Sequence, residues 1–542
     1  MAGHGSRPLR GLESTGQSSV GTAKFGRMFR WLPPAALPQT PAQDAALRAT
    51  LTTLAGLMVT SEFDENVDDH KFPNDTPDAP IDIPEPDDEN PRIAAGYTYL
   101  GQFIDHDITF DPASSLQRMN DPDALEDFRT PRLDLDCLYG RGPADQPYLY
   151  AKDDHVKFIL GPNVGVNGMD RPDLQRTLDN TALIGDKRND ENKIVTQIQA
   201  LFLKFHNKVY DKIASSFQPG EEGARFNEAQ RIVRWCYQWI VLHDFLPKVC
   251  DPAVVNALMP APGQREPRLQ FFHPHGGTAY IPVEFSVAAY RFGHSMVRPS
   301  YSLNDIVLKG TATFKGKPFG RIPIFSAPPR QPTDSMTGFG EGLPPSWGLD
   351  WNFFFGTPNK HPQGQKQIPQ PSYRIDAFLV DPLGKLPEFE KSGSPFASLA
   401  FRNLQRGVSM GLPSGQSVAR MIGVAPAKVL SDKQLWTVRN EGENLVPWDE
   451  GKAFFDKPEN KRWLAGAAPL WYYILKEAEI MHHGHHLGEV GSRIVAETLI
   501  GLAWNDHYSY LFQMPRWNPS EELLGLPASL DMLALTQWVD AP

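Results

Sequence analysis

A single histidine in an otherwise apolar stretch is the first candidate for acid–base chemistry. In LGQFIDHDITFDP, which begins at Leu100, His106 stands between Asp105 and Asp107, and Gln102 lies three residues before the first acid. Neighbouring side chains of a helix diverge by about 100°, so the two carboxylates cannot address one point beside the imidazole. The pattern suits a histidine that transfers protons in a pocket while its acidic neighbours bind other groups. On this triplet alone, a core histidine held by one aspartate is the preferred interpretation.

Two further clusters combine arginine with a second polar residue. GDKRNDEN contains Arg188 three residues before Glu191, so a helical turn brings both to one side. Taken alone, this cluster is better interpreted as an ordinary first helical turn, with acids that complement the helix dipole. AAYRFGHSMVRPS contains Arg291 three residues before His294. A neutral imidazole at that position can bind a metal, and the preceding Gly293 lets a flat group approach closely.

A fourth cluster lies in FRNLQRGVSMGLP, where Asn403, Gln405 and Arg406 precede a Gly-Leu-Pro turn. Their amide and guanidinium groups can orient a ligand or bind an anion. Each cluster is a weak signal by itself.

Helices must position these residues. Apolar spacing predicts helices over 45–60, 192–214 and 487–504, and a fourth helix over 227–246 that Asn227 and Gln230 cap and Pro247 ends. The stretch 306–372 is rich in proline and glycine and contains only short strand-like runs. The prediction is a mainly α-helical protein with long loops and little β-structure.

Composition and charge restrict the class of protein. The 542 residues are 41% hydrophobic with a net charge of −11, and the window 62–89 alone sums to −11. The rest of the chain is therefore close to neutral, which argues against general affinity for nucleic acid or an anionic membrane. A solvated loop is the preferred interpretation of the window 62–89. No apolar run is long enough to cross a membrane. Three cysteines without a CxxC pair indicate neither a disulfide framework nor a zinc module.

Together, the four clusters resemble in order and content the motifs of the animal-type heme peroxidases, the peroxidase–cyclooxygenase superfamily, and especially of its bacterial members. The resemblance spans roughly residues 90–515 and implies the helical fold of that family. The matching positions are Gln102 with Asp105-His106-Asp107, Arg188 with Glu191, Arg291 with His294, and Asn403 to Arg406.

The resemblance implies heme b and a division of roles among these residues. His106 would transfer protons with Gln102 beside it, and Arg188 would stabilise charge on the leaving oxygen of hydrogen peroxide. His294 would be the axial iron ligand, Asn403 its hydrogen-bond partner, and Arg406 a partner of a heme propionate; Arg291 belongs to the same proximal motif. Asp105 and Glu191 match acids that can form ester bonds to heme.

The resemblance also implies calcium. Asp107 matches one ligand, and the loop TPRLDLDCLYG supplies the others at alternate positions: Thr130, Arg132 through its carbonyl, Asp134 and Asp136. Oxygen ligands are what calcium requires. The last position is commonly serine in the family, and the aspartate here adds charge. A surface turn rich in aspartate is the alternative.

The expected organisation is an N-terminal extension over 1–45, a helix and acidic loop over 46–90, a catalytic domain over 91–520 and a tail over 521–542. The expected partners are hydrogen peroxide and a small donor such as a phenol, a halide or thiocyanate. Scarce cysteines and no visible signal peptide favour the cytoplasm, with leaderless secretion as the alternative. The HHGHH stretch, 482–486, matches no motif of the family, and an exposed connector is preferred over a metal site.

Two rival functions stay open at this point. A fatty-acid dioxygenase of the same superfamily places a radical-forming tyrosine three residues before the proximal histidine, and that position is Arg291 here; Tyr290 is one residue off. A heme-bearing adhesion or matrix protein with residual activity is the second rival. Retention of both His106 and Arg188 argues against an inactive relative.

Overall fold

Helices account for about half of the structure. The computed structural model describes residues 25–59, 89–110, 127, 129–153, 156–261, 263–274, 279–308, 313–314, 317–318, 320–325, 335–340, 342–358, 369–386, 395–439, 443–522 and 524–542. The helices are α1 Pro41–Leu57, α2 Gly96–Ile108, α3 Asp136–Tyr139, α4 Lys193–Lys212, α5 Glu222–Ile240, α6 Leu246–Val249, α7 Pro252–Leu258, α8 Val283–Val287, α9 Asp305–Leu308, α10 Asp381–Gly384, α11 Leu399–Ser409, α12 Gly415–Met421, α13 Asp432–Leu435, α14 Asp449–Phe455, α15 Pro458–Leu464, α16 Leu470–His482, α17 Glu489–Asn505, α18 Tyr510–Gln513 and α19 Met532–Asp540.

Strands are short and occur in pairs. They are β1 Phe25–Gly26, β2 Glu89–Ala94, β3 Leu160–Asn163, β4 Pro172–Leu174, β5 Ile281–Pro282, β6 Ser300–Tyr301, β7 Thr313–Phe314, β8 Lys317–Pro318, β9 Ile322–Pro323, β10 Pro371–Tyr373, β11 Thr437–Arg439 and β12 Leu445–Pro447. The pair β1–β5 is parallel, and the pairs β2–β10, β3–β4, β6–β9, β7–β8 and β11–β12 are antiparallel. The prediction of a mainly α-helical fold with little β-structure is confirmed.

Three of the four predicted helices lie where apolar spacing places them, as α1, α4 and α17. The fourth prediction was wrong at both ends. Helix α5 begins five residues before Asn227, and Pro247 does not stop the helical path. A π-helical stretch over Val241–Phe245 leads into α6, where the proline occupies the first turn. Proline is tolerated there because the amide it lacks would have no intrahelical acceptor.

Aromatic packing fixes helix α2 against two long helices. Phe103 of α2 stacks on Phe202 of α4, with ring centroids 5.1 Å apart and planes 5° apart. Tyr237 of α5 meets both rings edge-on, at 6.1 and 5.7 Å. Such pairs add roughly 0.5–1.5 kcal/mol each beyond the area they bury. These ring contacts hold the Phe103 face of α2 against α4 and α5.

The start of α2 is pinned by close backbone contact and by a buried carboxylate. A Cβ at Gly96 would lie 2.4 Å from the Phe354 carbonyl oxygen, so only glycine fits. The Tyr97 hydroxyl lies 3.0 and 2.9 Å from the two oxygens of Asp244, in the π-helical stretch. The same carboxylate accepts the Met532 amide at the start of α19.

Helix α19 packs on α4. Arg171 donates to both oxygens of Asp540 at 2.7 Å, and Trp538 meets the Phe205 ring edge-on at 5.5 Å. Residues 532–540, assigned from sequence to a tail, thus form an ordered helix against the core.

Other predictions meet the structure only in part. Of the acidic window 62–89, residues 62–88 lie outside the described residues, and Glu89 forms an ion pair with the buried Arg298 at 2.7 Å. The three cysteines are buried and not bonded to one another. Within the described ranges, no helix has the length and apolar character needed to cross a membrane.

Candidate active site

His106 lies on the last turn of α2 with its ring orientation set from outside the helix. Its Nδ1 is 2.7 Å from the side-chain oxygen Oδ1 of Asn189, and the Asn189 side-chain nitrogen Nδ2 donates to Gln199 Oε1 at 2.8 Å. The second bond orients the asparagine amide, so Oδ1 must accept the proton from Nδ1. In the neutral ring this leaves a lone pair on Nε2. The arrangement creates a proton acceptor that points away from Asn189.

The Nε2 side of the imidazole faces a carboxylate. Glu191 Oε1 lies 3.5 Å from His106 Nε2 and also accepts the Gln102 side-chain amide. Burial opposes ionisation of Glu191, but the hydrogen bond and charge of His106 outweigh it and lower the pKa of the carboxyl. The Glu191 side chain keeps 32% of its surface accessible although protein surrounds it. That combination is typical of a residue that lines an internal cavity.

Arg188 binds the end of the same helix. Its Nη2 donates to the carbonyl oxygens of His106 at 3.0 Å and Thr109 at 2.6 Å. Its Nε and Nη2 also meet the Asp186 carboxylate at 2.8–3.3 Å. The guanidinium lies 4.8 Å from the centre of the Phe110 ring. Arg188 therefore stands beside the histidine backbone, held by a carboxylate that was not identified from sequence.

The second predicted histidine has a defined partner. The segment Ala289–His294 is a 3₁₀-helix that contacts α2. Asn403 Nδ2 of α11 lies 2.8 Å from His294 Nδ1, and Arg291 Nη1 donates to Asn403 Oδ1 at 2.9 Å. The arginine sets the orientation of the amide, and the amide sets the ring. Because Asn403 Nδ2 donates to Nδ1, the neutral ring carries its hydrogen on Nε2, and a metal at Nε2 would require the amide to turn so that Nδ1 donates to it.

The surroundings of His294 suit a planar metal group. Burial, with the charges of Arg291 and Arg402, lowers the pKa of His294 to about 3, so the ring is neutral and carries a lone pair. Within the described part of the chain, nothing lies within 4 Å of where a Cβ would stand at Gly293. An open space beside a neutral imidazole fits an axially bound heme.

Three carboxylates form a buried cluster directly behind His106. One oxygen from each of Asp107, Asp134 and Asp136 lies within 4.8 Å of the others, and all three residues are buried. Asp107 Oδ1 has no hydrogen-bond partner. Burial and the charges of the two other acids raise the pKa of Asp107. An unpaired buried carboxylate oxygen aimed at two other acids fits a hard cation such as calcium.

The loop that carries these acids is anchored on α5. Arg234 Nε donates to the Asp134 carbonyl oxygen at 2.6 Å, and Gln238 Nε2 donates to that of Leu133 at 2.9 Å. Within the loop, the Thr130 hydroxyl donates to Asp134 Oδ1 at 2.9 Å. Thr130, Asp134, Asp136 and Asp107 thus lie together, as the family resemblance implies.

The structure gives the following surroundings for other residues predicted from the sequence. Asp105 Oδ1 accepts the Thr109 hydroxyl at 3.0 Å, and the side chain of Arg132 approaches Asp506 at 3.9 Å. Arg406 is half-buried one turn beyond Asn403 on α11. The HHGHH histidines are half-buried, and the backbone around Gly484 bonds to Asn90 and Ile375. That segment is a packed turn and not the exposed connector that was expected.

Four residues that sequence reasoning missed complete the site: Asn189, Gln199, Asp186 and Arg129. The polar letters of GDKRNDEN beside Arg188 and Glu191 were the available signal for two of them. Nothing local marks Gln199 or Arg129, because their partners lie elsewhere in the chain.

The profile of the animal haem peroxidase family matches residues 130–324, which contain the carboxylate loop, Arg188 and His294. A peroxidase-like protein of Margaritifera margaritifera is 35% identical over 116 residues, which are 21% of this chain and 14% of that protein. The chain belongs to the peroxidase–cyclooxygenase superfamily. The matched stretches span from 8% to 30% of the length of the curated relatives.

Solved structures of the superfamily share the fold. Peroxidase A from Dictyostelium discoideum aligns with a TM-score of 0.58 at 15% identity, over 96% of this chain and 93% of that one. The fatty acid alpha-dioxygenase of Oryza sativa aligns with a TM-score of 0.57 at 14% identity, over 96% and 79%. One of these is named a peroxidase and the other a dioxygenase, so the fold alone does not select the reaction.

The contact between Asn189 and His106 yields a prediction about pH. Asn189→Leu removes the acceptor for Nδ1–H, and peroxide-dependent turnover should fall by roughly 10²-fold or more, as for loss of an acid–base group. Asn189→Asp retains an acceptor and adds a negative charge, so it should keep most activity and shift the acidic limb of the kcat/KM profile to higher pH. Equal losses in both variants, with no pH shift, would show that the contact is merely structural.

The carboxylate cluster yields a prediction about stability. Calcium at about 100 times its Kd should stabilise the native protein by about 2.7 kcal/mol, visible as a higher unfolding temperature that a chelator reverses. Asp134→Ala should abolish the dependence on calcium. Asp145→Ala, which removes an exposed acid paired with Arg141 at 3.2 Å, should retain it. An unfolding temperature that is indifferent to calcium would contradict the assignment.

Proposed function

We propose that the chain is a heme peroxidase that reduces hydrogen peroxide and oxidises small donors such as phenols, halides or thiocyanate. The main support is the orientation of His106, whose Nδ1 faces the acceptor Asn189 Oδ1, so that in the neutral ring the lone pair lies on Nε2. A second histidine with an equally fixed partner, His294, lies on a segment that packs directly against α2.

The residues around His294 would hold the heme. His294 Nε2 would be the axial ligand, Arg406 would pair with a propionate, and Asp105 and Glu191 could each form an ester bond to the macrocycle. The partial accessibility of Glu191 supports its access to such a group. A bound heme supplies the iron that receives one peroxide oxygen and stores two oxidising equivalents.

His106 would move the proton that peroxide reduction requires. Its Nε2 accepts a proton from one peroxide oxygen, and the positive charge that forms is stabilised by Asn189 Oδ1 and by Glu191. The imidazolium then returns the proton to the other oxygen, which leaves as water when the O–O bond breaks. Two donor molecules each supply one electron to restore the resting state, and the second oxygen leaves as water after taking up two protons.

Arg188 would stabilise negative charge on the leaving oxygen. A guanidinium in a site that excludes water acts more strongly than in bulk solvent. Three hydrogen-bond partners already restrict this side chain, so little orientational freedom is lost during the reaction. Gln102, which donates to Glu191, would help to orient that carboxylate.

Calcium would stabilise the same region. Asp107, Asp134, Asp136, Thr130 and the Arg132 carbonyl would bind the ion. Because Asp107 follows His106 directly, an ion at this cluster would restrain the end of α2 that carries the proton acceptor.

The proposal is tested by peroxide-driven oxidation of a phenolic dye in the heme-loaded protein. His106→Ala should lower kcat/KM for peroxide by roughly 10²–10⁴-fold. His273→Ala replaces an exposed histidine bonded to the Gln270 carbonyl oxygen and should leave the rate unchanged. A Soret band must appear on reconstitution in all three proteins. Undiminished turnover in His106→Ala would disprove the mechanism.

One observation favours a second candidate, a fatty-acid dioxygenase. The Tyr290 hydroxyl is buried without a hydrogen-bond partner and lies 3.9 Å from where a Cβ would stand at Gly101 of α2. Burial, with the charge of Asp105, raises the pKa of Tyr290. Tyr290 lies on the His294 segment beside α2 and could give up a hydrogen atom. At the position where dioxygenases of the family place such a tyrosine, this chain has Arg291.

Oxygen uptake with linoleate separates the two reactions. A peroxidase should give no regiospecific hydroperoxide, and Tyr290→Phe should leave dye oxidation unchanged because the phenyl ring keeps the packing on Phe285 at 4.5 Å. Rapid oxygen uptake with a single product, lost in Tyr290→Phe, would instead establish the dioxygenase.

A further inference from the structure

Arg129 joins the carboxylate cluster to a fourth acid. It is buried, and its Nη1 donates to Asp136 Oδ1 at 3.2 Å. Its Nη2 pairs with Asp186 Oδ2 and donates to the Gly185 carbonyl oxygen at 3.3 Å. One guanidinium thus holds a predicted ion ligand on one side and the start of the Arg188 segment on the other.

Asp186 continues this connection to the reacting groups. Its Oδ1 accepts the Arg188 backbone amide at 2.9 Å, and its Oδ2 accepts Arg188 Nη2 at 2.8 Å. That same Nη2 donates to the His106 and Thr109 carbonyl oxygens. Although burial opposes ionisation, the Arg188 and Arg129 guanidinium groups hold the pKa of Asp186 well below its usual range. Asp186 is an anion between two cations.

Acids outnumber cations in this chain of contacts. The carboxyl groups of Asp107, Asp134, Asp136 and Asp186 lie near the two guanidinium groups of Arg129 and Arg188. Asp127 is also buried there and accepts the Arg129 backbone amide at 3.0 Å. Burying more acids than cations is costly, and a divalent cation bound by Asp107, Asp134 and Asp136 would offset that cost.

We propose that Arg129 and Asp186 are positioning residues that couple the ion held by Asp107, Asp134 and Asp136 to the placement of Arg188. Ion binding draws Asp136 toward the cation, weakens its hold on Arg129 and strengthens the Arg129–Asp186 pair. Asp186 in turn keeps Arg188 on the end of α2. The coupling rests on the proposed function only in the role that it assigns to Arg188.

Two substitutions should move calcium affinity in opposite directions. Asp186→Asn removes an anion and leaves Arg129 to compete fully for Asp136, so affinity should fall roughly tenfold, within the range for groups that support metal ligands. Arg129→Met removes a cation beside the cluster, so affinity should rise. In the double variant, the effect of Asp186→Asn should shrink to roughly twofold, because no guanidinium then links the two carboxylates.

The measurement is calorimetric titration of the chelator-treated full chain with Ca²⁺. Asp190→Asn is the matched control, since Asp190 is a buried acid of the same segment whose partner is Arg176, at 2.7 Å. The Ca²⁺ affinity of this variant should equal that of the wild type. A fall in affinity in all three test variants would mean that the residues only support folding and would overturn the proposal. An undiminished effect of Asp186→Asn in the Arg129→Met background would overturn it as well.

The link to Arg188 needs a second readout. In the calcium-loaded, heme-loaded protein, Asp186→Asn should lower kcat/KM for peroxide roughly tenfold, as for loss of orientation of a catalytic group, with the KM for the donor unchanged. Altered ion affinity with an unchanged peroxide rate would overturn the coupling. The titration needs neither heme nor peroxide, so its outcome is independent of the His106→Ala test of the reaction.

Discussion

Asp107 brings a carboxylate into the protein interior one residue after His106, and this burial organises the reactive side of the molecule. An ionised carboxylate without a counter-charge costs several kcal/mol in such a place. Asp134 and Asp136 lie beside it on a loop anchored to α5, and Arg129 donates to Asp136. Two more acids add to this cost, which a bound cation would offset. On its other face α2 is held by the rings of Phe202 and Tyr237. His106 thus lies near the end of a helix that contacts the acidic cluster on one side and aromatic rings on another.

Both histidines illustrate one principle of construction. Each ring is oriented by an asparagine amide, and each amide is in turn oriented by a second polar group: Gln199 for Asn189, and Arg291 for Asn403. A single amide could rotate and exchange its donor for its acceptor. The second contact prevents that exchange and fixes which ring nitrogen carries the hydrogen. The orientation of both rings therefore depends on polar groups that lie one contact further away.

The features that could be predicted from the sequence are those that depend on residues close together in the chain. Helix α4 was predicted almost to the residue because its apolar positions recur through five turns, and the four motif clusters were found because each is contiguous. The end of α5 was missed, since a π-helical stretch carries the chain past Pro247. Asn189 and Arg129 were missed because their partners are 83 and 57 residues away. Such contacts follow from the packing of α2 against the Arg188 segment, which no local pattern encodes.

The docking of α19 has a consequence for the order in which the protein matures. Asp244 beneath α2 accepts the Met532 amide, and Arg171 beside α4 binds Asp540 through two hydrogen bonds. Both contacts join early parts of the chain to residues that leave the ribosome hundreds of positions later. During synthesis, the helices that carry His106 and support its ring must wait for these residues before their packing is complete. Under the proposed function, heme would bind only after this region has been translated.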